Sequence, residues 1–228
     1  MLILHSYQMV ADAEFLEFYK NIKIKLPNSL TEKIESFKFT VDKQRSLIAD
    51  LMVRQFYAQK LKVDWNSIQF KYNDHDKPSL KNTNDHCFNI SHSGDQVVVV
   101  FSNQEVGIDV EKTKGDRRKI AQRFFTKGEI SDMRKAGIKD EQILYFYQLW
   151  TLKESYMKAI GKGIAMSLSS FAFKKQGDEF KLAFSASDDE WFFHSPKWDD
   201  GYYLSICSKV QGNAEQKRVN LEEISGNI

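Results

Sequence analysis

The sequence lacks most of the features that would assign it to a specialised class of protein. Its 228 residues contain two cysteines, Cys87 and Cys207, which lie far apart and outside any metal-ligand spacing. This pattern predicts free thiols in a reducing compartment, with a single disulfide as the open alternative. Basic residues outnumber acids by only 33 to 31, so bulk electrostatics indicate neither a nucleic-acid nor a membrane partner.

Long apolar runs and targeting segments are also missing. The strongest apolar run, residues 97–101, has the length of a strand and is too short to span a bilayer. Residues 1–10 lack the basic start and apolar core of a signal peptide, so we expect a cytoplasmic protein. Residues 161–163, Gly-Lys-Gly, lack the upstream glycine and the following Ser or Thr of a phosphate-binding P-loop.

What is present is an alternating segment at residues 106–111, which predicts a β-strand. Three aliphatic residues alternate there with Gly107, Asp109 and Glu111. Because side chains alternate across a strand, the two carboxylates project from one face. Carboxylates so placed suit a hard divalent cation. The alternative is a half-solvated strand whose acids only face water.

A second segment, residues 150–158, predicts a helix with a functional stripe. Trp150, Glu154 and Lys158 recur at i, i+4 and i+8 and therefore lie along one face. Alone, a Glu–Lys pair at this spacing usually decorates an exposed helix. Together with the acid strand, it suits a divalent cation that holds a phosphate, while the lysine neutralises the remaining charge.

Other basic and small polar residues are candidates for an anion site. Lys33 and Arg45 are two of four basic side chains on predicted helices, where a solvated helix face is the alternative interpretation. His92 lies between two serines at the end of a predicted strand, and these small neighbours would let a phosphate approach. A lone histidine is nevertheless more often structural than catalytic.

The order of predicted elements indicates two related halves. A strand, helices and a hairpin follow one another in each half, which is a faint internal similarity. We expect one subdomain at residues 1–105 and a second at 106–228. Residues 211–228 are polar and predict a loose tail.

Four segments resemble those of the Sfp-type 4′-phosphopantetheinyl transferases. They are F-N-I-S-H-S-G (88–94), G-I-D-V-E (107–111), R-F-F-T-K-G-E (123–129) and W-T-L-K-E-S-Y-M-K (150–158), in the order and at the intervals of that family. The acid strand paired with W-T-x-K-E-S is specific to that superfamily. The similarity runs from residue 37 to residue 173.

The resemblance implies an α+β fold of two similar subdomains related by a pseudo-twofold axis, with the active site in the cleft between them. The chain's length is similar to that of the two-halved, typically monomeric class. The implied reaction transfers the 4′-phosphopantetheine arm of coenzyme A to a serine of an apo acyl or peptidyl carrier protein, releasing 3′,5′-ADP. Coenzyme A would be the co-substrate, and Mg²⁺ or Mn²⁺ the metal.

The resemblance also implies roles for individual residues. Asp109, Glu111 and Glu154 would hold the metal, and Lys158 and His92 would donate to phosphate oxygens. Glu129 matches a family acid suggested to deprotonate the serine, with a metal-bound water as the alternative base. The residues expected to contact coenzyme A are Lys33, Arg45, Ser46, Lys77, Pro78, Ser91, His92, Lys153 and Lys158.

The chain departs from the family pattern at two positions near the expected nucleotide site. Asp76 stands where the family often has glycine, and Leu30 where a basic residue is common. Either change could weaken binding of coenzyme A, but neither touches the three metal-binding acids. We therefore expect an active enzyme.

Two rival interpretations stay open. In the first, the chain is a non-catalytic module that binds coenzyme A or a nucleotide; three retained carboxylates argue against it, because they are costly to hold together without a cation. In the second, it binds nucleic acid through Lys112, Lys114, Arg117 and Arg118. The near-neutral charge and the lack of interleaved aromatics disfavour that reading.

Overall fold

A computed structural model describes residues 1–81, 83, 85–177, 179–185 and 189–226 and has the expected α+β fold. The strands are β1 (Leu2–Gln8), β2 (Phe70–Tyr72), β3 (Pro78–Leu80), β4 (Cys87–Ser93), β5 (Gln96–Ser102), β6 (Val106–Lys112), β7 (Ala172–Gln176), β8 (Glu179–Phe184), β9 (Phe192–His194), β10 (Tyr202–Ser208) and β11 (Glu215–Val219). The helices are α1 (Asp12–Ile22), α2 (Asn28–Ser36), α3 (Thr40–Leu61), α4 (Arg118–Phe124), α5 (Lys127–Lys135), α6 (Lys139–Ile160) and α7 (Leu221–Ser225).

Each half is built around one 22-residue helix that packs on an antiparallel pair of strands. In the first half, α3 lies against the sheet β11-β1-β5-β4. In the second half, α6 lies against the sheet β6-β10-β9. Both helices end at a residue in the left-handed conformation, Lys62 in α3 and Gly161 in α6. This repetition is the counterpart of the internal similarity in the sequence.

Strand β5 is buried on both faces, which explains the continuous apolar run at residues 97–101. Val97, Val99 and Phe101 belong to the core between the first sheet and α3. Val98 and Val100 face the other way, into a core shared with the second sheet. A strand covered on both sides loses the alternation of a half-solvated strand. The molecule is therefore layered as helix, sheet, sheet and helix.

The two halves meet along β4 and β6, where side chains take the place of backbone pairing. Asn89, Ser91 and Ser93 are spaced two residues apart on β4 and so face β6 together. Their side-chain oxygens accept hydrogen bonds of 2.8, 3.2 and 3.0 Å from the backbone amides of alternate β6 residues, namely Ile108, Val110 and Lys112. We call these three bonds the seam.

In the second half, helix α6 approaches strand β6 unusually closely at Gly107. A Cβ atom on Gly107 would lie 2.1 Å from the carbonyl oxygen of Ser155 and 2.4 Å from the amide nitrogen of Ala159. Only glycine lets two backbones come this near. The glycine of the G-I-D-V-E segment therefore sets the distance between the acids of β6 and those of α6.

The C-terminal segment departs from the predicted loose tail. Strand β11 adds to β1 in parallel, with Ile3 opposite Glu215, and Gln55 of α3 donates a hydrogen bond to the carbonyl oxygen of Ile224 in α7. Its polar composition is that of an exposed edge strand. The last part of the chain thus completes the first sheet instead of extending the second half. Residues 227 and 228 lie outside the described residues.

Two further expectations concern membranes and disulfides. Among the described residues, no helix is both long enough and apolar enough to cross a bilayer. Cys87 begins β4 and Cys207 is buried on β10, and no disulfide joins these two residues.

Substitution Gly107→Ala tests the close approach of β6 and α6. The new methyl group would meet backbone atoms on a helix that cannot retract without opening the core, so the free energy of unfolding should fall by about 3 kcal/mol. The matched control is Gly128→Ala in the first turn of α5, where the nearest atom would be 4.0 Å away and stability should stay the same or rise slightly. Urea denaturation measures both, and equal midpoints for the two variants would show that the approach is looser than described.

Candidate active site

The acids predicted on β6 lie at the seam, where the β4 serines donate hydrogen bonds to them. Asp109 is only 5% exposed. Its Oδ1 accepts a hydrogen bond of 3.0 Å from Ser91 Oγ and pairs with Lys158 Nζ at 2.6 Å. Its Oδ2 is buried and has no hydrogen-bond partner among the described residues. Burial raises the pKa of Asp109, opposed by the charge of Lys158. One oxygen of this carboxylate is therefore still available to a ligand.

Glu111 and Glu154 complete a group of acids that repel one another. Glu111 accepts a hydrogen bond of 2.8 Å from Ser93 Oγ, and burial followed by the charge of Asp109 raises its pKa. Burial, again followed by the charge of Asp109, raises the pKa of Glu154 to about 7. Both shifts mean that removing these protons is harder here than in water. A bound cation would lower that cost.

These acids share one cavity with the predicted helical stripe, which we call the acid cavity. It has a volume of about 490 Å³ and is lined by Ile90, Ser91, His92, Asp109, Glu111, Trp150, Glu154 and Lys158. Strand β4 comes from the first half, and β6 and α6 come from the second. The residues predicted to hold metal and phosphate therefore converge where the halves meet.

The donor set fits a hard divalent cation, although it is not arranged around one in this structure. No three His, Cys, Asp or Glu side chains of the described residues form a finished metal site. Instead, the ammonium of Lys158 is the cation next to Asp109. Three carboxylates, one of them with an unpartnered buried oxygen, are nevertheless the ligands that Mg²⁺ prefers. Metal binding by Asp109, Glu111 and Glu154 is therefore chemically reasonable and remains a prediction.

A second cavity, the α3 cavity, adjoins the acid cavity and shares Ile90 and His92 with it. It has a volume of about 460 Å³. Its polar lining includes Lys33, Arg45, Ser46 and Tyr72, together with the carboxylates of Asp42, Asp50 and Asp76. The apolar part of its wall consists of Phe37, Ala49, Val53, Phe70, Pro78, Phe88 and Ile90. An apolar wall for a flat base, with basic side chains nearby for a phosphate, is suited to a nucleotide.

The side chains of Arg45 and His92 differ in charge: the guanidinium of Arg45 is positive, and the imidazole of His92, on the wall that the two cavities share, is neutral. Arg45 donates a hydrogen bond of 2.6 Å to the carbonyl oxygen of Gly94, which fixes its guanidinium beside β4. Desolvation, then the charges of Arg45 and Lys158, lowers the pKa of His92. The imidazole is thus neutral near pH 7 and can donate one hydrogen bond to a phosphate oxygen.

Family models match almost the whole of the chain on which these cavities lie. The model described as 4′-phosphopantetheinyl transferase, N-terminal, matches residues 15–104, and that of the 4′-phosphopantetheinyl transferase superfamily matches residues 105–207. The 4′-phosphopantetheinyl transferase Sfp of Bacillus subtilis (strain 168) is 38% identical over 178 residues, which cover 78% of this chain and 79% of that protein. The chain belongs to the 4′-phosphopantetheinyl transferase superfamily.

Other members of the superfamily are similar over comparable lengths. The 4′-phosphopantetheinyl transferase gsp of Aneurinibacillus migulanus is 35% identical over 73% of this chain and 69% of its own. The mouse (Mus musculus) L-aminoadipate-semialdehyde dehydrogenase-phosphopantetheinyl transferase is 29% identical over 85% of this chain and 70% of its own. A holo-(acyl-carrier-protein) synthase structure from Bacillus anthracis, in complex with CoA (3′,5′-ADP), aligns with 46% of this chain and 93% of its own at 16% identity and a TM-score of 0.41. The sequence matches confirm the predicted family and class of enzyme, a phosphopantetheinyl transferase.

Two residues predicted to contact the nucleotide point away from the α3 cavity of this transferase. The ammonium of Lys77 donates to the carbonyl oxygen of Ala159 at 2.8 Å instead. The hydroxyl of Ser91 faces the acid cavity, where it bonds to Asp109 and Lys158. Pro78 does line the α3 cavity, as predicted.

Asp76 also lines the α3 cavity, and its backbone has a conformation that glycine adopts more readily than other residues. Its φ angle is +60°, in the left-handed region that side chains with a Cβ adopt reluctantly. Aspartate is among the residues that tolerate this conformation best. Asp76 thus permits this loop conformation and places a carboxylate on the cavity wall.

The structure places Glu129 and Lys153 in neither cavity. Glu129 is 2% exposed and Lys153 is 0% exposed, and their side chains form an ion pair of 2.8 Å. Lys153 Nζ also donates hydrogen bonds to the carbonyl oxygens of Leu168 and Phe171, both at 2.8 Å. Burial lowers the pKa of Lys153, opposed by Glu129. Lys153 can therefore reach no ligand in either cavity.

Glu129 is equally occupied by structural bonds. Its Oε2 caps helix α5 by accepting from the amide and hydroxyl of Thr126 at 2.8 and 3.0 Å. Its Oε1 accepts from the amide of Phe173 at 2.9 Å as well as from Lys153. A carboxylate that is buried and holds four partners is not open to an incoming serine. Its physical role is to join α5, α6 and β7.

Sequence reasoning missed the seam, in particular Asn89 and Ser93. Asn89 is 6% exposed and bonds to the amide of Ile108, while Ser93 joins the amide of Lys112 to the carboxylate of Glu111. The available signal was the alternation of small polar residues in N-x-S-x-S along a predicted strand. Such a pattern in an otherwise apolar sheet indicates side chains that bond to a neighbouring backbone.

Substitution Glu129→Gln separates the structural role of this residue from a catalytic one. Removing one partner of a buried ion pair leaves Lys153 uncompensated, so the free energy of unfolding should fall by about 3–5 kcal/mol. The double variant Glu129→Gln/Lys153→Met removes both charges and should recover a large part of that loss. Urea denaturation gives the stabilities. Normal stability combined with a large loss of transfer rate in Glu129→Gln would support the catalytic base instead.

Proposed function

We propose that this transferase moves the 4′-phosphopantetheine group of coenzyme A to a serine of an apo acyl or peptidyl carrier protein. A divalent cation, Mg²⁺ or Mn²⁺, would be held by Asp109, Glu111 and Glu154. The observation that carries the proposal is the convergence of these acids with Lys158 in one cavity. The adjoining cavity has a largely apolar wall and includes the side chains of Lys33 and Arg45. Every one of these residues comes from a single chain, which supports action as a monomer.

The two cavities would bind different parts of coenzyme A. The adenine would occupy the apolar α3 cavity, and Lys33, Arg45 and Ser46 would bind the 3′-phosphate. The diphosphate would cross the shared wall at His92 into the acid cavity. There the imidazole would donate one hydrogen bond, and Lys158 would leave Asp109 for a phosphate oxygen.

The reaction needs charge neutralisation and alignment more than covalent help. The serine Oγ attacks the β-phosphorus, the bond from that phosphorus to the bridging oxygen breaks, and 3′,5′-ADP leaves with the electron pair. When bound, the metal would draw charge from the diphosphate. Lys158 and His92 would stabilise the remaining negative charge in a partly desolvated site. Because Glu129 is buried, the serine's proton would pass to a water molecule in the acid cavity.

A carrier protein must approach the acid cavity from solvent. Four basic residues lie between the end of β6 and the start of α4, namely Lys112, Lys114, Arg117 and Arg118. Carrier proteins usually present their serine within an acidic surface, so we propose that this basic segment meets the carrier.

Intact-mass spectrometry of apo acyl and peptidyl carrier proteins, incubated with this chain, coenzyme A and Mg²⁺, tests the proposal. The carrier should gain about 340 Da, one phosphopantetheine, and EDTA should abolish the gain. Asp109→Asn should lower the rate by about 100-fold or more, since it removes a charge that would hold the metal. The control Glu17→Gln, an exposed acid on α1, should leave the rate within about twofold.

Three outcomes would contradict parts of this account. A mass gain that survives EDTA would overturn the metal assignment. A normal rate for Asp109→Asn would remove Asp109 from the site. Binding of coenzyme A without any mass gain on either class of carrier would favour the non-catalytic module.

A further inference from the structure

The loop between β2 and β3 holds the C-terminal end of helix α6 and the start of β6. Lys77 Nζ donates to the carbonyl oxygen of Ala159 at 2.8 Å and to that of Val106 at 3.3 Å. Asn73 Nδ2 donates to the carbonyl oxygen of Gly161 at 2.8 Å. Carbonyls at the end of a helix lack partners within it, and a cation is favoured there. We call Asn73 and Lys77 the α6 clamp.

The clamp loop has a fixed shape of its own. Asn73 Oδ1 accepts hydrogen bonds of 2.9 Å from the backbone amides of both His75 and Lys77. A Cβ atom on Gly161 would lie 3.0 Å from Lys77 Cδ and 3.3 Å from Asn73 Nδ2, so the glycine at the helix end lets the loop approach. Each side chain of the clamp thus has a defined position before any ligand arrives.

The contacts of the clamp join three parts of the site. Val106 lies three residues before Asp109 on β6, and Ala159 directly follows Lys158 on α6. On the other side, Asp76 and Pro78, the neighbours of Lys77 in the chain, line the α3 cavity. One short loop therefore touches both acid-bearing elements and borders the cavity for the nucleotide.

We propose that Lys77 and Asn73 are positioning residues that fix β6 and α6 relative to each other and to the α3 cavity. In this role they set the distance from the bound nucleotide to the site acids and Lys158. Lys77 itself does not contact the nucleotide. The inference rests on the proposed function of the acid cavity. It replaces the expected contact between Lys77 and coenzyme A.

Substitution Lys77→Met removes both hydrogen bonds and keeps the aliphatic stem. Affinity for coenzyme A without metal should stay within about threefold, since the groups of the α3 cavity are untouched. Two other values should each fall about tenfold or more: the increase in coenzyme A affinity that Mg²⁺ causes, and kcat. The reason is that small displacements of the acids and Lys158 slow the reaction strongly. Lys77→Arg, which keeps a cation at the helix end, should restore most of both. Calorimetry and the mass assay supply these values.

A matched control and a second variant guard against a loss that reflects folding alone. Lys71→Met changes an exposed lysine on β2 of the same hairpin and should alter none of these values. Asn73→Asp keeps the acceptor for the loop amides but loses the donor to Gly161, so it should show the pattern of Lys77→Met in weaker form. Both can be compared with the parent at equal folded fraction.

Amide hydrogen exchange tests the clamp independently of transfer. The amide of Gly161, bonded to the carbonyl oxygen of Met157, should exchange faster in Lys77→Met and in Asn73→Asp than in the parent. Unchanged exchange in both variants would overturn the proposed role of the clamp, whether or not the parent chain transfers phosphopantetheine. Absence of transfer by the parent would refute only the proposed function. A tenfold loss of metal-free affinity with normal kcat would overturn the role of the clamp in favour of a direct nucleotide contact. A variant Lys77→Met identical to the parent in every value would do so as well.

Discussion

The hydrogen bonds between β4 side chains and the β6 backbone determine where the acids of this transferase lie. Ser91 Oγ accepts from the amide of Val110, donates to Asp109 and accepts from Lys158, all within 3.2 Å. The bond that joins the halves is thus made by the same atom that orients a site carboxylate. Each such buried bond contributes about 1 kcal/mol, and losing one leaves a polar group unpaired at greater cost. Stability of the seam and geometry of the site therefore depend on the same residues.

The acid cavity and the Glu129–Lys153 pair show two ways of burying a carboxylate. Glu129 has four partners and stabilises the fold, whereas Asp109 keeps one oxygen unpartnered and Glu154 has its pKa raised to about 7 by burial and by Asp109. A carboxyl whose pKa is higher in the folded chain than its usual 4.5 favours folding below pH 4.5, and that contribution is lost as the pH rises to about 7. Near neutral pH the metal-free cavity is thus a cost to stability, which a bound cation would offset. Functional sites commonly carry such costs.

The sequence predicted the parts of the site that depend on local periodicity. Acids two residues apart on a strand and a stripe at i, i+4 and i+8 on a helix are determined by backbone geometry, and both sets line one cavity. The structural role of Glu129 could not be predicted locally, because it depends on tertiary packing. Its partners, the amide of Phe173 on β7 and the ammonium of Lys153 on α6, are distant in the sequence. The T-x-x-E spacing from Thr126 to Glu129 was the one local signal of a cap. Nothing local could show that β11 pairs with β1, some 200 residues away in the chain.

The central claim is that the repelling acids of β6 and α6 form a cation site. Calorimetric titration of Mg²⁺ into the chain bound to coenzyme A tests it most directly. The account predicts one Mg²⁺ per chain, with an affinity that rises as the pH passes through about 7, because Glu154 must lose its proton before it can bind. It also predicts that Glu154→Gln removes most of that affinity. Absence of Mg²⁺ binding, or an affinity that is the same in Glu154→Gln as in the parent, would contradict it.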